Sequence, residues 1–161
     1  MNFSKQILFG LIFLSGLIFS EAQIISAGVK FDKKPMFQAT FNAPMFFDKN
    51  KPFDIFWGAD YTTKNSEIPS GLAPQLNFAY YLVDDEYKNF TLSANFTAGY
   101  LFDFNKKFDN QFRFSPHIYF EFLSLFNAKL GYDYLTSINK GYPFVSIGIG
   151  GGMMFRHFRV M

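Results

Sequence analysis

The sequence predicts an all-β fold: a single antiparallel up-and-down β-barrel of about eight strands, embedded in a membrane and preceded by a cleaved signal peptide. Apolar and polar residues alternate with a period of two in one segment after another. Short turn-forming clusters separate these segments. Aromatic residues make up 22% of the 161 residues and charged residues only 17%, so an ordinary water-exposed surface would not accommodate the rings.

The N-terminus has the pattern of a secretory signal peptide. A short segment with one positive charge precedes an apolar run over residues 7–19, which is shorter than the roughly 20 residues of a membrane-spanning helix. Ser20 and Ala22 supply the small residues that signal peptidase accepts. We therefore expect cleavage after Ala22, with residues 1–22 as the signal peptide and residues 23–161 as one outer-membrane β-barrel domain.

Eight segments carry the alternation. The clearest covers residues 90–104, where one face carries Phe, Leu, Ala and Tyr and the other carries mainly Thr, Ser, Asn and Asp. An even number of strands is what single-chain bacterial barrels require. In chain order, the other predicted strands cover residues 25–31, 37–47, 53–62, 72–83, 112–125, 126–136 and 143–155.

The connections are short clusters of charged, Asn, Gly and Pro residues, which is typical of a meander of hairpins. They lie at residues 32–35, 48–52, 65–71, 84–89, 105–111 and 139–141. Pro116 lies inside the predicted strand 112–125, although a closed barrel has no edge strand that tolerates a missing N–H group. We therefore expect a β-bulge or a late strand start at Pro116.

The polar face of the strands indicates what each side of the barrel contacts. A face in water would be rich in Lys and Glu, whereas this one is built from Gly, Ser, Thr, Asn, Gln and Asp, which suit a crowded interior. The apolar face extends over about 9 to 11 residues per strand, the length that crosses a membrane. We therefore expect the apolar face to contact lipid. The alternative is a soluble periplasmic, lipocalin-like barrel that binds a hydrophobic ligand in an aromatic cavity.

Tyrosine and tryptophan are expected near the membrane interfaces as aromatic girdles. The candidates are Trp57, Tyr61, Tyr80, Tyr100, Tyr132 and Tyr134.

With its signal peptide, strand number, alternation and short turns, the whole mature chain resembles the small eight-stranded outer-membrane β-barrel proteins of the OmpA and OmpX type in Gram-negative bacteria. The resemblance implies a location in the cell outer membrane, with both termini in the periplasm. It implies that the connections near Asp32, 65–71, 105–111 and 139–141 face outside. The implied partners are outer-membrane lipid and the export and barrel-assembly machinery, and no particular protein partner is implied.

Charged side chains of both signs fall on the predicted inner face. Eight strands leave an interior that side chains just fill, and unpaired buried charge is costly. We therefore expect a closed interior that holds a network of ion pairs and hydrogen bonds, with no open pore. The residues predicted for this polar network of the lumen are Lys30, Asp54, Asp60, Asp103, Arg113, His117, Glu121, Lys129 and Asp133, with Asp32 on the same face.

A different interpretation concerns Ser115, His117 and Glu121. They alternate onto one face of one strand and supply the nucleophile, base and carboxylate that a serine hydrolase requires. They are similar in type to the catalytic residues of outer-membrane lipid A deacylases, which are eight-stranded barrels, although Ser precedes His here. A lipid-modifying hydrolase is therefore the alternative hypothesis, and the main expectation is a protein that is not an enzyme.

Other chemistry is not indicated. The formal net charge of +2 is too small to predict a nucleic-acid partner. The glycine-rich residues 148–152 lie in a strand and not before a helix, so they predict no nucleotide or other cofactor. His117 and His157 are the only histidines and lie on different segments, so no metal site is expected. The sequence thus favours a structural role in the envelope or modest surface contacts.

Overall fold

The computed structural model describes residues 24–48, 50–85, 87, 89–123 and 125–151. In this part of the chain, strands are joined by turns and irregular segments. None of its residues forms a helix long and apolar enough to cross a membrane. The predicted signal peptide, residues 152–155 of the last predicted strand, and His157 lie outside the described residues.

Eight strands confirm the predicted all-β fold and the predicted strand number. They are β1 (Ile24–Phe31), β2 (Pro35–Phe46), β3 (Phe53–Thr62), β4 (Gly71–Asp85), β5 (Phe90–Asp103), β6 (Gln111–Phe122), β7 (Phe126–Leu135) and β8 (Lys140–Gly151). Each pairs in antiparallel fashion with its neighbours in sequence. β1 also pairs with β8, from Ile25 opposite Gly151 to Phe31 opposite Val145, so the sheet closes into a barrel without edge strands.

The two ends of the barrel differ in their connections. At one end, which we call the turn end, short connections join β2 to β3, β4 to β5 and β6 to β7. At the other end, the loop end, residues 32–34, 63–70, 104–110 and 136–139 connect the remaining strand pairs. The antiparallel meander therefore places the two longest connections, residues 63–70 and 104–110, together at the loop end.

β6 ends at Phe122, earlier than predicted. Leu123 has a φ of 56°, and the N–H of Leu125 donates to the carbonyl of Phe122 at 3.2 Å, so a tight turn leads into β7. Leucine rarely adopts the left-handed region of φ, and the apolar side chain of Leu123 continues the alternating pattern. The alternation therefore predicted a strand that runs past Phe122 into the turn.

The expected bulge or late start at Pro116 is wrong. β6 passes through Pro116 in unbroken register with β5, where Pro116 lies opposite Phe96. On its other side, β6 pairs with β7. That pairing is interrupted between Phe114, opposite Tyr134, and His117, opposite Gly131, and the register is the same before and after the gap. Pro116 therefore lies at a local gap in one ladder, and its missing N–H group does not require a bulge.

Register shifts occur instead near the turn end. One lies between Pro44 and Phe46 in the pairing of β2 with β3, and the other between Tyr81 and Val83 in the pairing of β4 with β5. Such irregularities bend a strand and increase its local twist. They fall where β2 and β4 approach the turn end.

Buried apolar side chains form a cluster toward each end of the barrel interior. The turn-end cluster consists of Phe56, Ala79, Tyr81 and Tyr119. The loop-end cluster consists of Met36, Ile68, Ala73, Leu101, Leu135 and Tyr142. Polar side chains occupy the interior between these two clusters.

Candidate functional site

A layer of polar side chains fills the middle of the barrel interior, where seven of the eight strands contribute inward-facing residues. Because side chains alternate between faces along a strand, every second residue of each strand points into the barrel interior, and those near mid-height form this layer. Most of the members are buried, and Gln75 and Lys129 are half-buried. The polar layer consists of Lys30, Gln38, Thr40, Asp60, Gln75, Arg113, Ser115, Lys129, Asp133 and Ser146.

Asp60 on β3 is the first of two carboxylates that organise the polar layer. Arg113 Nη2 donates to its Oδ2 at 2.9 Å and forms an ion pair with it. Gln38 Nε2 and Thr40 Oγ1 donate to its Oδ1 at 2.8 and 2.9 Å. Asp60 is only 3% exposed, so these donors replace the water that a carboxylate would otherwise bind.

Asp133 on β7 is the second organising carboxylate. It forms a buried ion pair with Lys30 of β1 and accepts a hydrogen bond from Ser115 Oγ at 2.6 Å. The Lys30 ammonium also lies 4.2 Å from the centre of the Phe144 ring, where it gains a cation–π contact. Asp133 therefore connects β7 with β1 and β6 through the interior.

Neutral side chains extend the network around the barrel. Ser146 Oγ donates to Gln38 Oε1 at 2.7 Å, so both ends of the Gln38 amide are used. Arg113 Nη2 donates to Gln75 Oε1 at 3.2 Å, and Gln75 Nε2 donates to Asn42 Oδ1 at 3.3 Å. A network that satisfies its members in this way fixes the relative positions of the strands that carry them.

Lys129 on β7 borders a small cavity inside the polar layer. Its ammonium donates to Thr40 Oγ1 at 3.2 Å. None of the ion pairs among the described residues includes Lys129. The cavity has a volume of about 40 Å³, and Arg113, Asn95 and His117 also line it. A cavity of this size holds a few water molecules or an ion, whereas small-molecule sites measure about 300–1,000 Å³.

Three residues predicted for the network lie nearer the ends of the barrel. Asp54 accepts a hydrogen bond from Tyr81 Oη at 2.8 Å, and Glu121 accepts one from Tyr119 Oη at 2.6 Å, both at the turn end. Asp103 lies at the loop end. The structure therefore divides the predicted set: Lys30, Asp60, Arg113, Lys129 and Asp133 lie in the polar layer, His117 lines its cavity, and the other three lie toward the two ends.

Asp103 organises the loop end through its side chain. Its carboxylate accepts backbone N–H groups from Ser70 at 3.0 Å and from Lys107 and Phe108 at 3.2 Å each. It thereby holds together the connection before β4 and the connection after β5. An ordered loop end follows from these bonds.

Two further contacts stabilise the loop end from its surface. Lys34 forms an exposed ion pair with Glu67 at 2.6 Å, and this contact lowers the pKa of the Glu67 carboxyl. Lys107 Nζ donates to the carbonyl of Ser66 at 2.7 Å. The connections between β1 and β2, β3 and β4, and β5 and β6 are thus tied to one another.

Ser115, His117 and Glu121 each contact a different partner. The Ser115 hydroxyl donates to Asp133 and not to His117. His117 Nδ1 lies 3.0 Å from the backbone carbonyl of Ser115, and its Nε2 lies 3.4 Å from Asn95 Nδ2. Glu121 accepts from Tyr119. The nucleophile, base and carboxylate are therefore not arranged as a hydrogen-bonded chain through the His117 ring.

The outer surface of the barrel is apolar. Leu130 at mid-height of β7 is 63% exposed, and Ile147 and Ile149 of β8 are each 60% exposed. Aromatic rings pack beside one another near both ends: Tyr100 contacts Phe112 near the loop end, with ring centres 5.1 Å apart. Phe90 contacts Phe120 near the turn end, with ring centres 4.9 Å apart.

The predicted girdle residues divide between these ends. Tyr61, Tyr100, Tyr132 and Tyr134 lie on the halves of their strands nearer the loop end, whereas Tyr80 lies nearer the turn end. Trp57 lies midway along β3.

The sequence interpretation named the charged members of the polar layer but not their neutral partners. Gln38, Thr40 and Gln75 lie on the same alternating face as the charged residues, and that alternation was the available signal. Their roles as bridges depend on which residues face each other across the interior. That information follows from the closure and stagger of the barrel, which a period of two does not specify.

Within the described residues, no group of three or more His, Asp or Glu side chains is arranged to hold a metal ion. No protein-family model matches the chain, and no curated protein shows significant similarity to it.

Proposed function

We propose that this protein is a small β-barrel of the cell outer membrane with a structural role in the envelope or in surface contacts, without an open pore and without enzymatic activity. The observation that carries the proposal is the distribution of side chains around the sheet: apolar residues face outward and a polar network fills the interior. A soluble barrel requires a polar exterior, whereas a barrel in lipid requires an apolar one. The soluble lipocalin-like alternative would need the aromatic face to line the interior.

The packing of the interior supports a role that does not involve transport. Apolar clusters lie toward both ends, and the cavity between them measures about 40 Å³. Eight-stranded barrels have interiors that side chains just fill, whereas the porins that conduct have 16 to 18 strands. The barrel therefore acts as a closed cylinder.

The loop end supports a role in modest surface contacts. We place it on the outside of the cell, and the turn end and both termini in the periplasm. Its connections are short, and Asp103, Lys34 and Lys107 tie them together. Such loops present a small, preorganised surface and not a large receptor platform.

Fractionation of a Gram-negative host that expresses the full chain tests the proposal. We expect the protein in the outer-membrane fraction, soluble only with detergent, with a gel mobility that changes on boiling because a closed barrel resists unfolding by detergent at room temperature. N-terminal sequencing of the mature protein should begin at Gln23. Recovery in the soluble periplasm would refute the membrane assignment.

A further inference from the structure

The charges of the polar layer do not balance. It contains three basic side chains, Lys30, Arg113 and Lys129, and two carboxylates, Asp60 and Asp133. Arg113 pairs with Asp60, and Lys30 pairs with Asp133. When all five groups are ionised, the layer therefore carries one uncompensated positive charge, on the Lys129 side chain.

The other interior carboxyl groups lie elsewhere. Asp32 and Asp103 lie at the loop end, and Asp54 and Glu121 lie at the turn end with Tyr81 and Tyr119 as partners. None of these four lines the cavity beside Lys129, whereas Asp60 lines it and is already paired with Arg113. A buried charge without a counter-charge is costly, so the cavity is the place where a compensating anion would lower the energy most.

The cavity also presents hydrogen-bond donors. An ammonium carries three N–H donors, and Lys129 uses one of them for Thr40. Arg113 lines the cavity, and its Nε is buried without a hydrogen-bond partner in the described part of the chain. Asn95 Oδ1 belongs to a residue that lines the same cavity, and it is a buried acceptor without a hydrogen-bond partner among the described residues. A water molecule beside an ion would donate to it.

We propose that this cavity binds a small monovalent anion of halide size, such as chloride, held by Lys129 and Arg113. The volume of about 40 Å³ accommodates a halide with little additional water and excludes larger organic anions. Apolar clusters lie on both sides of the polar layer, so the site lies in the middle of the barrel interior and away from both ends. It is a structural ion that stabilises the folded barrel and not a transported one.

The experiment compares barrels refolded into a non-ionic detergent in sodium chloride and in sodium gluconate at equal ionic strength. Gluconate is too large for the cavity, so the comparison separates binding from screening of surface charge. Unfolding in urea is followed by the fluorescence of Trp57, the single tryptophan. We expect the unfolding midpoint to rise progressively with chloride concentration, as binding to the folded state alone requires. Equal midpoints in the two salts would overturn the proposal.

Two variants locate the effect. Lys129→Met keeps the length of the side chain and removes the third cation, so its midpoint should not depend on the anion. Lys140→Met removes an exposed lysine at the start of β8 and should keep the chloride dependence of the wild type. An equal chloride dependence in Lys129→Met and the wild type would contradict the assignment to this cavity.

Crystals of the wild-type protein grown in bromide provide a test that does not depend on the folding of any variant. We expect an anomalous scattering peak in the cavity between Lys129 and Arg113. A cavity that contains only water would refute the proposal.

Discussion

Two buried carboxylates hold the polar layer together, and each combines one cation with neutral donors. Asp60 binds Arg113, Gln38 and Thr40, and Asp133 binds Lys30 and Ser115. Charge-assisted hydrogen bonds in a water-excluded interior are strong, and the group left behind when one partner is removed is costly. The stability of the barrel should therefore be sensitive to single substitutions in this layer.

Asp60→Asn tests this sensitivity. The variant removes the negative charge that pairs with Arg113. The same carboxylate accepts from Thr40, to which Lys129 donates, so two buried cations are affected. We expect a loss of about 3–5 kcal/mol in the free energy of unfolding. Urea unfolding in detergent measures it. Asp109→Asn, at an exposed position of the loop end, makes the same chemical change and should stay within about 0.5 kcal/mol of the wild type. Equal losses in both variants would show that the ion pair with Arg113 does not contribute.

Ser115→Ala separates a structural role of this hydroxyl from a catalytic one. The hydroxyl donates to Asp133, so its loss should cost about 1–2 kcal/mol of stability. Lipid A should carry the same acyl chains in cells that express the wild type and in cells that express Ser115→Ala. Mass spectrometry of extracted lipid measures them. Deacylation by the wild type that disappears in Ser115→Ala would establish the hydrolase instead.

The partners of these residues were beyond the reach of the sequence. Lys30 and Asp133 are separated by 103 positions in the chain and lie on β1 and β7, which do not pair with each other. Alternation places both on the inner face. Their contact depends on how far the strands are staggered around the closed sheet, and many staggers share the same alternation.

The strands themselves were predictable because the two faces differ so strongly. The predicted bounds of β3 agree with the structure, and along β5 the even and odd positions separate into an inner and an outer set. The irregularities were not predictable from the same pattern. Leu123 continues the apolar alternation into a turn, and Pro116 was expected to disturb a strand that in fact runs past it.

Gly131→Ala tests the close approach of β6 and β7. Gly131 lies opposite His117, and an added Cβ would lie 2.6 Å from the carbonyl oxygen of Pro116 and against the His117 side chain. The two strands would have to separate, and we expect a loss of about 1–3 kcal/mol in the free energy of unfolding.

Pro116→Ala is the matched comparison on the same pair of strands. It supplies an N–H group where the ladder between β6 and β7 is interrupted, so it should leave stability unchanged or raise it by about 1 kcal/mol. Urea midpoints of both variants in detergent measure the difference. A Gly131→Ala barrel that unfolds at the wild-type midpoint would mean that β6 and β7 tolerate the added methyl group.

At the scale of the whole molecule, the closed sheet separates two environments. It encloses the polar layer and the apolar end clusters, and it turns the large apolar side chains outward. Closure gives every strand a hydrogen-bonded neighbour on both sides, as a sheet in lipid requires. The proposed location in the outer membrane thus predicts how the exterior responds to an added charge.

Leu130→Arg places that charge at mid-height of the outer surface, where Leu130 is 63% exposed. A charge at the midplane of the bilayer costs about 2–4 kcal/mol in a transmembrane barrel, so we expect a lower midpoint for unfolding from lipid vesicles. Thr136→Arg adds the same side chain at an exposed position of the loop end, where the cost falls to about 0–1 kcal/mol. A depth-dependent difference between the two variants supports lipid around the strands. Equal stability of both, in a barrel that remains soluble without detergent, would show that water surrounds them, since a substitution on a surface in water has little effect at either height.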